Sequence, residues 1–240
     1  MAVTRNKIQR NLDRIRTNIE IACAKSRRDP KEVSLVAVTK SVEMDTIRNV
    51  LDCGLTDLGE SRAGQLAKRH DEMKAYLARR RNDLAGPVRW HMVGHLQRNK
   101  VKKALTAATY IHSVDSLRLA EEIDSRCQSE NCNVDVFIQV NCTQEDQKYG
   151  CAVGAASHLA ESVDTLKHLR VIGLMTMGVQ DDEAETEMAF SRLKEIYDEI
   201  IRDRVCGPAF RHLSMGMSDD YVLAVEKGAT VLRIGRALFQ

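Results

Sequence analysis

One lysine at the end of an apolar run carries the sharpest chemical meaning in this sequence. Val33-Ser-Leu-Val-Ala-Val-Thr39 is short, β-rich and apolar, and Lys40 follows it directly. An ammonium drawn partly out of water holds its proton less tightly. Partial burial would therefore make Lys40 a nucleophilic amine able to condense with a carbonyl. A lysine that snorkels from a strand end into solvent is the plainer alternative. Two glycine-bearing segments offer a second chemistry, Ser214-Met-Gly-Met-Ser218 and Arg233-Ile-Gly-Arg236. Glycine lets backbone N–H groups come close to an anion, and the start of a following helix favours negative charge. Ser214, Ser218 and Arg236 could add side-chain donors. Each segment alone also reads as ordinary turn chemistry; the two together, in adjacent units, favour an anion site.

The other titratable residues read more plainly. His91 and His95 are four apart, but on a strand and its turn, without an evident carboxylate partner or third ligand, so no metal site is expected. His112 and His212 are expected to satisfy local hydrogen bonds. Glu60 and Asp115 follow different strands; either could orient a lysine or cap a helix, and capping is expected of Asp115. The basic run from Lys68 to Arg81 reads as a solvated helix face. The seven cysteines are scattered, with no Cys-x-x-Cys pair, and are expected to be reduced.

The elements that must position these residues alternate. Apolar residues at spacings of three and four predict helices over 4–27, 44–53, 62–81, 99–108, 117–127, 152–165, 182–202 and 219–227. Short β-rich runs between them predict strands at 33–39, 57–60, 89–94, 110–114, 134–140, 169–175, 211–215 and 230–234. Eight strands, each preceded by a helix, predict parallel strands with helices outside. Eight units in 240 residues fit a closed (β/α)8 barrel, with residues 1–240 as a single domain and an extra N-terminal helix. A doubly wound sheet is the alternative, but no Gly-x-Gly-x-x-Gly follows an early strand. In such a barrel Lys40 and both glycine segments lie at the C-terminal ends of strands, where active sites form.

Composition narrows the function. Lys and Arg number 36 against 34 Asp and Glu, so bulk charge does not make this a nucleic-acid binder. Aromatics are 4% of residues, too few for a base-stacking surface. No apolar run approaches the ~18 residues of a membrane span, and the first twenty residues lack an apolar signal core. A cytoplasmic location without membrane attachment is expected.

Seven segments occur in an order that resembles one family. They are Ala37-Val-Thr-Lys40, Leu58-Gly-Glu-Ser-Arg62, Trp90-His-Met-Val-Gly-His-Leu-Gln-Arg-Asn-Lys100, Ile111-His-Ser-Val-Asp115, Gly173-Leu-Met-Thr-Met-Gly178, Leu213-Ser-Met-Gly-Met-Ser218 and Val231-Leu-Arg-Ile-Gly235. The chain resembles the pyridoxal phosphate homeostasis proteins over roughly residues 5 to 239. The resemblance implies a fold-type III barrel like the N-terminal domain of alanine racemase, with pyridoxal 5′-phosphate (PLP) as cofactor. It implies that Lys40 forms the internal aldimine and that Ser214, Met215, Gly216, Gly235 and Arg236 hold the phosphate, largely through backbone amides. It also implies that Arg233 faces the pyridine nitrogen and keeps the ring unprotonated. It further implies a monomer or weak dimer that buffers PLP or passes it to apo-enzymes, without catalysis of its own.

The chain departs from the family pattern at several positions. Ser61 stands where asparagine is usual, so a cofactor contact there is less secure; Val42 replaces a second lysine; Arg236 replaces Thr or Ser in the phosphate turn; and the last residues are Phe239-Gln240. Lys148, after the fifth strand in Asp146-Gln-Lys-Tyr149, reads as a solvated loop lysine rather than a second PLP site. Two other functions remain open. A PLP-dependent amino-acid racemase would need a second base opposite Lys40. An aldolase-like barrel would use Lys40 on a carbonyl substrate without PLP.

Overall fold

In the computed structural model the described residues are 2–79, 84–145 and 147–240. The strands are β1 (Ser34–Val38), β2 (Asp57–Glu60), β3 (Arg89–Met92), β4 (Ala108–Val114), β5 (Val134–Asn141), β6 (Cys151–Ala152), β7 (Leu169–Met175), β8 (His212–Ser214) and β9 (Val231–Ile234). All neighbours pair in parallel. The order runs β4-β3-β2-β1-β9-β8-β7-β5, and a further pairing of β4 with β5 closes the ring. Eight strands among the described residues thus form the barrel. The two-residue β6 lies outside the ring, paired to the end of β5 through Val140 and Cys151.

Period-2 alternation, interrupted once where β7 carries an extra residue against Val136 and Phe137 of β5, sorts the strand residues. Val36, Phe137, Ile172, Met175 and Val231 form one buried cluster inside the barrel. Ala37, Leu58, Ile111, Ile138, Leu174 and Leu232 join the larger cluster between strands and helices. The outer face of the strands is apolar because helices cover it.

Helix α1 (Arg5–Ser26) starts at Thr4, whose side chain accepts the Lys7 N–H, and buries Ile8, Leu12, Ile15, Ile19 and Ala22. It packs on α2 (Met44–Asp52), α8 (Tyr221–Glu226) and α9 (Arg236–Phe239). The other helices are α3 (Ala63–Leu77), α4 (Val101–Leu105), α5 (Leu117–Glu130), α6 (Ala156–Asp164) and α7 (Glu183–Arg202). Asp182 caps α7 through the Glu185 N–H, as its place before the apolar period suggests.

Several bounds differ from the sequence reading. The helix expected at 99–108 is only Val101–Leu105 after a 3-10 turn, and β4 already begins at Ala108. The run Ala104 to Ala108 suits either element, and barrel pairing decides it. The helix expected from 152 begins at Ala156, because Cys151–Ala152 is a strand and 153–155 a 3-10 turn. The four-residue α9 was not expected; it is too short to show a period. Part of the expected 62–81 helix, residues 80 and 81, lies outside the described residues. Among the described residues no helix is long and apolar enough to cross a membrane.

Candidate functional site

Three chain turns meet at one side of the barrel mouth because β8, β9 and β1 are neighbours. Lys40 follows β1. Ser214-Met-Gly-Met-Ser218 follows β8. Arg233-Ile-Gly-Arg236 ends β9. Ala37 pairs with Ile234, which brings Lys40 and Gly235 to the same rim. A Cβ on Gly235 would lie 3.4 Å from the Val38 carbonyl oxygen, so the two strand ends are in close contact.

Lys40 itself is exposed, as the plainer alternative of a lysine leaving the strand end for solvent has it, and not partly buried. The strand pairing stops just before it, and residues 39–42 turn outward, with the Val42 N–H on the Thr39 carbonyl at 3.0 Å. That turn is clamped from outside the barrel. Arg69, on α3, donates from Nη1 to the Thr39 carbonyl and from Nη2 to the Val42 carbonyl, both at 2.5 Å. Arg69 also pairs with Glu60 Oε1, which accepts the Thr39 hydroxyl at 2.5 Å. Glu60 is fully buried, and its Oε2 has no hydrogen-bond partner among the described residues. Burial pushes the Glu60 carboxyl up, against the opposing pull of Thr39, Arg69 and Lys40. Arg69 is thus no part of a solvated face; it is 8% exposed and holds the turn that carries Lys40.

The second feature is a pair of backbone donors. Ser218 Oγ accepts the N–H of Gly235 at 3.3 Å and that of Ala237 at 3.1 Å. An oxygen is therefore already favoured where these two amides converge, on the rim that also carries Lys40. This is what a phosphate oxygen requires. Gly216 has φ +95°, and a Cβ there would lie 2.6 Å from Ala224 Cβ, so the turn needs glycine for conformation and space. Met215 buries its side chain in the outer core, which leaves only its backbone for a ligand. Arg236 is exposed and paired through Nη2 with Asp219, a carboxylate that competes with any anion for its charge. A cavity of about 960 Å³ adjoins these turns, lined by Lys148, Gly178, Met217, Asp220 and Arg236 among others; Lys40 lies outside its walls.

The third feature lies inside the barrel. Arg233 is buried, and desolvation lowers its pKa to about 10. It donates to Ser214 Oγ at 2.6 Å and to the Thr176 carbonyl at 2.9 Å. Ser214 Oγ also lies 2.8 Å from His112 Nδ1. The Ser214 side chain is therefore engaged below the mouth and does not join the amide pair, as a donor role would require. His112 Nε2 is 2.9 Å from His91 Nδ1, and His91 Nε2 is 2.9 Å from Asp57 Oδ1. Arg89 pairs with Asp57 at the far end.

These contacts correct several expectations. His91 does have a carboxylate partner, and so does His95, at 3.6 Å from Asp115. Asp115 does not cap α5: Ser116 holds the cap position, and Asp115 accepts its hydroxyl at 3.2 Å. Ser61 is half-buried at the end of β2, where its backbone abuts Gly94. Lys148 is no solvated loop lysine: it donates to the Gly178 carbonyl at 3.2 Å and pairs with Glu145 at 2.9 Å. Asp146, quoted with it, lies outside the described residues. Among the described residues no group of three His, Cys, Asp or Glu could hold a metal, and the seven cysteines are free thiols. Asp57 and Arg69 were missed by sequence reasoning, because a lone carboxylate in a four-residue strand and one arginine in a basic helix carry no local signal.

The alanine racemase N-terminal domain family matches residues 10–240. A pyridoxal phosphate homeostasis protein of Aquifex aeolicus is 35% identical over 95% of both chains. One from Escherichia coli K12 is 30% identical over 98% of this chain and 96% of its own. The chain belongs to the pyridoxal phosphate homeostasis protein family. Among solved structures, PipY of Synechococcus elongatus with PLP bound superposes with TM-score 0.80 at 27% identity, covering 97% of this chain and all of its own. Alanine racemase of Clostridium difficile shares the barrel, with TM-score 0.71 at 13% identity over 99% of this chain and 57% of its own.

The residues present suit the family's namesake molecule. PLP has an aldehyde, a phosphate and a ring nitrogen. The rim offers an exposed primary amine, two converging N–H groups whose present acceptor, Ser218 Oγ, a phosphate oxygen would replace, and, beneath them, a buried guanidinium.

Proposed function

We propose that this homeostasis-family chain binds PLP at the β8–β9–β1 rim and acts as a carrier or buffer for it in the cytoplasm. The observation that carries this reading is the Gly235 and Ala237 N–H pair, already converged on an oxygen, just past the end of β9, the strand that pairs with β1 ahead of Lys40. When bound, PLP supplies an aldehyde that bonds covalently to a primary amine. Lys40 supplies that amine, and Arg69 with Glu60 holds its turn in place. Gly235, Ala237 and the Ser214–Ser218 turn, through the Met215 and Gly216 backbone, receive the phosphate. Arg236, tied to Asp219, is a secondary donor, and Ser61 borders the site. Arg233 meets the ring nitrogen as a cation that only donates, which keeps that nitrogen unprotonated and the ring a weak electron sink. The exposure of Lys40 leaves the bond open to amines and to apo-enzymes that need the cofactor.

A racemase-type activity is the second reading. The likeness to alanine racemase, at 13% identity, supports a shared barrel alone, whereas the homeostasis proteins match the chain nearly end to end. Sub-micromolar retention of PLP needs about 8 kcal/mol or more of standard binding free energy. One covalent bond and several charge-assisted hydrogen bonds are sufficient.

Absorption of the protein with added PLP, before and after borohydride, tests the site. A visible band and a pyridoxyl group mapped to Lys40 are expected. Lys40→Ala should abolish the covalent adduct while keeping measurable non-covalent affinity. No band in the unsubstituted protein would refute PLP binding. Racemisation of amino acids by the loaded protein would replace the carrier reading with the enzyme.

A further inference from the structure

The line of polar side chains inside the barrel can be read proton by proton, because both its ends are fixed. Arg233 has only donors, and an ionised Asp57 has only acceptors. Burial would raise the Asp57 carboxyl, but hydrogen bonds from His91 and Arg89 outweigh it and hold the carboxyl below its usual range. Burial lowers His91, and it lowers His112 well below the ordinary value, so each ring is neutral at pH 7 and carries one N–H.

His91 must give that N–H, on Nε2, to Asp57. Its Nδ1 is then an acceptor, and it lies 2.9 Å from His112 Nε2, which therefore carries the His112 proton. His112 Nδ1 is left as an acceptor for the Ser214 hydroxyl at 2.8 Å. The Ser214 oxygen is left with a lone pair for Arg233 Nη1 at 2.6 Å. Every bond runs the same way, from guanidinium to carboxylate. Ring stacking holds both imidazoles in plane: His91 lies on Tyr110 at 4.4 Å and His112 on Phe137 at 4.3 Å.

We infer that Asp57, His91 and His112 are positioning residues for Arg233: they turn the Ser214 hydroxyl proton away from the guanidinium and so hold its remaining N–H groups for the ring nitrogen of the cofactor. The last step rests on the PLP reading of the rim; the order of the line does not. Arg233 has five N–H groups, of which Ser214 and Thr176 take one each. Without His112 the Ser214 hydroxyl loses its acceptor, and its oxygen is no longer held in one orientation for Arg233 Nη1. The guanidinium is then fixed at the Thr176 carbonyl alone and can pivot about that bond.

Two measurements test the inference. Imidazole 15N spectra of the unliganded protein at pH 7 should show His91 and His112 as neutral Nε2–H tautomers. An Nδ1–H tautomer or an imidazolium at either would overturn the order of the line. The second measurement compares binding of PLP with its analogue bearing C–H in place of the ring nitrogen. The unsubstituted protein should prefer PLP by roughly tenfold, the worth of one charge-assisted hydrogen bond. His112→Leu should reduce that preference to about twofold. Ser214→Ala makes the same break with less change of volume, should His112→Leu fail to fold. A merely structural role would weaken both ligands alike and leave the ratio unchanged, which would overturn the positioning role. Binding of neither ligand by the unsubstituted protein would instead refute the PLP reading, and with it the last step, while the tautomers still decide the order of the line.

Discussion

Two buried polar groups anchor the two ends of this site, and they are built in opposite ways. Outside the barrel, Glu60 and Arg69 are in direct contact, and the guanidinium spreads its other bonds over the Thr39 and Val42 carbonyls. Inside, Asp57 and Arg233 are kept apart by His91, His112 and Ser214. The compact pair satisfies the charge of Arg69 by contact and uses the rest of the guanidinium to fix a backbone turn. The extended line orders neutral groups between the charges and leaves part of Arg233 available. A charge that fixes structure can be fully enclosed by partners. A charge that meets a ligand must be held from one side only.

The largest effect should come from breaking the compact pair. Arg69→Met leaves Glu60 buried without its cation and releases the turn that carries Lys40. Removing one partner of a buried pair typically costs about 3–5 kcal/mol. The urea midpoint should fall accordingly, and attachment of PLP to Lys40 should weaken with it. A loss under about 1 kcal/mol would mean that Glu60 sits there protonated and Arg69 is secured by the carbonyls alone. Asp57→Asn should be milder, about 1–2 kcal/mol, because asparagine keeps an oxygen for His91 Nε2 and loses mainly the pair with Arg89.

The same two carboxylates should respond to pH with opposite sign. Glu60 is raised by burial in the folded state. The folded protein then binds its proton more readily than the unfolded chain does. Its contribution to stability is present below the ordinary glutamate range and is lost as pH rises through the raised value. Asp57 is lowered, since the His91 and Arg89 hydrogen bonds overcome desolvation. Its contribution is present above the ordinary aspartate range and is lost as pH falls through the lowered value. Urea midpoints from about pH 3 to pH 8 should therefore show Glu60→Gln gaining on the unsubstituted protein as pH rises. Asp57→Asn should gain on it as pH falls. Slopes of the same sign would show that the two groups are not distinguished by their surroundings.

The contrast between the groups also marks how far the sequence could be read. The apolar run before Lys40, the glycines of both rim turns and the β/α alternation are local signals, and they placed the rim correctly. Neither polar group is local. Arg69 reaches back from α3 to Glu60 and the 39–42 turn, and nothing in an ionic helix separates it from its solvated neighbours Lys68 and Lys74. The line from Asp57 to Arg233 joins β2, β3, β4, β8 and β9, so it exists only once the ring has closed. Its histidines were visible as residues; their shared direction required the distances between them. The depth of Lys40 stayed open between two alternatives for a similar reason. A strand's apolar run does not say where the chain leaves the sheet, and the outward turn depends on the Arg69 clamp.

The smallest effect should come from Arg236, three residues after Arg233 and its opposite in setting. Arg233 is buried and held by two hydrogen bonds; Arg236 is exposed and shares its charge with Asp219. Solvent and salt screen such a surface pair, which is commonly worth under about 1 kcal/mol. Arg236→Gln should therefore leave the urea midpoint nearly unchanged. Asp219 competes with a phosphate for the charge of Arg236, so the substitution should lower PLP affinity by only about threefold. Added salt should erase most of that difference, since it weakens exposed charges before buried ones. A hundredfold loss that persists in high salt would place the Arg236 side chain on the phosphate itself. The cradle would then be ionic, rather than built from the Gly235 and Ala237 amides.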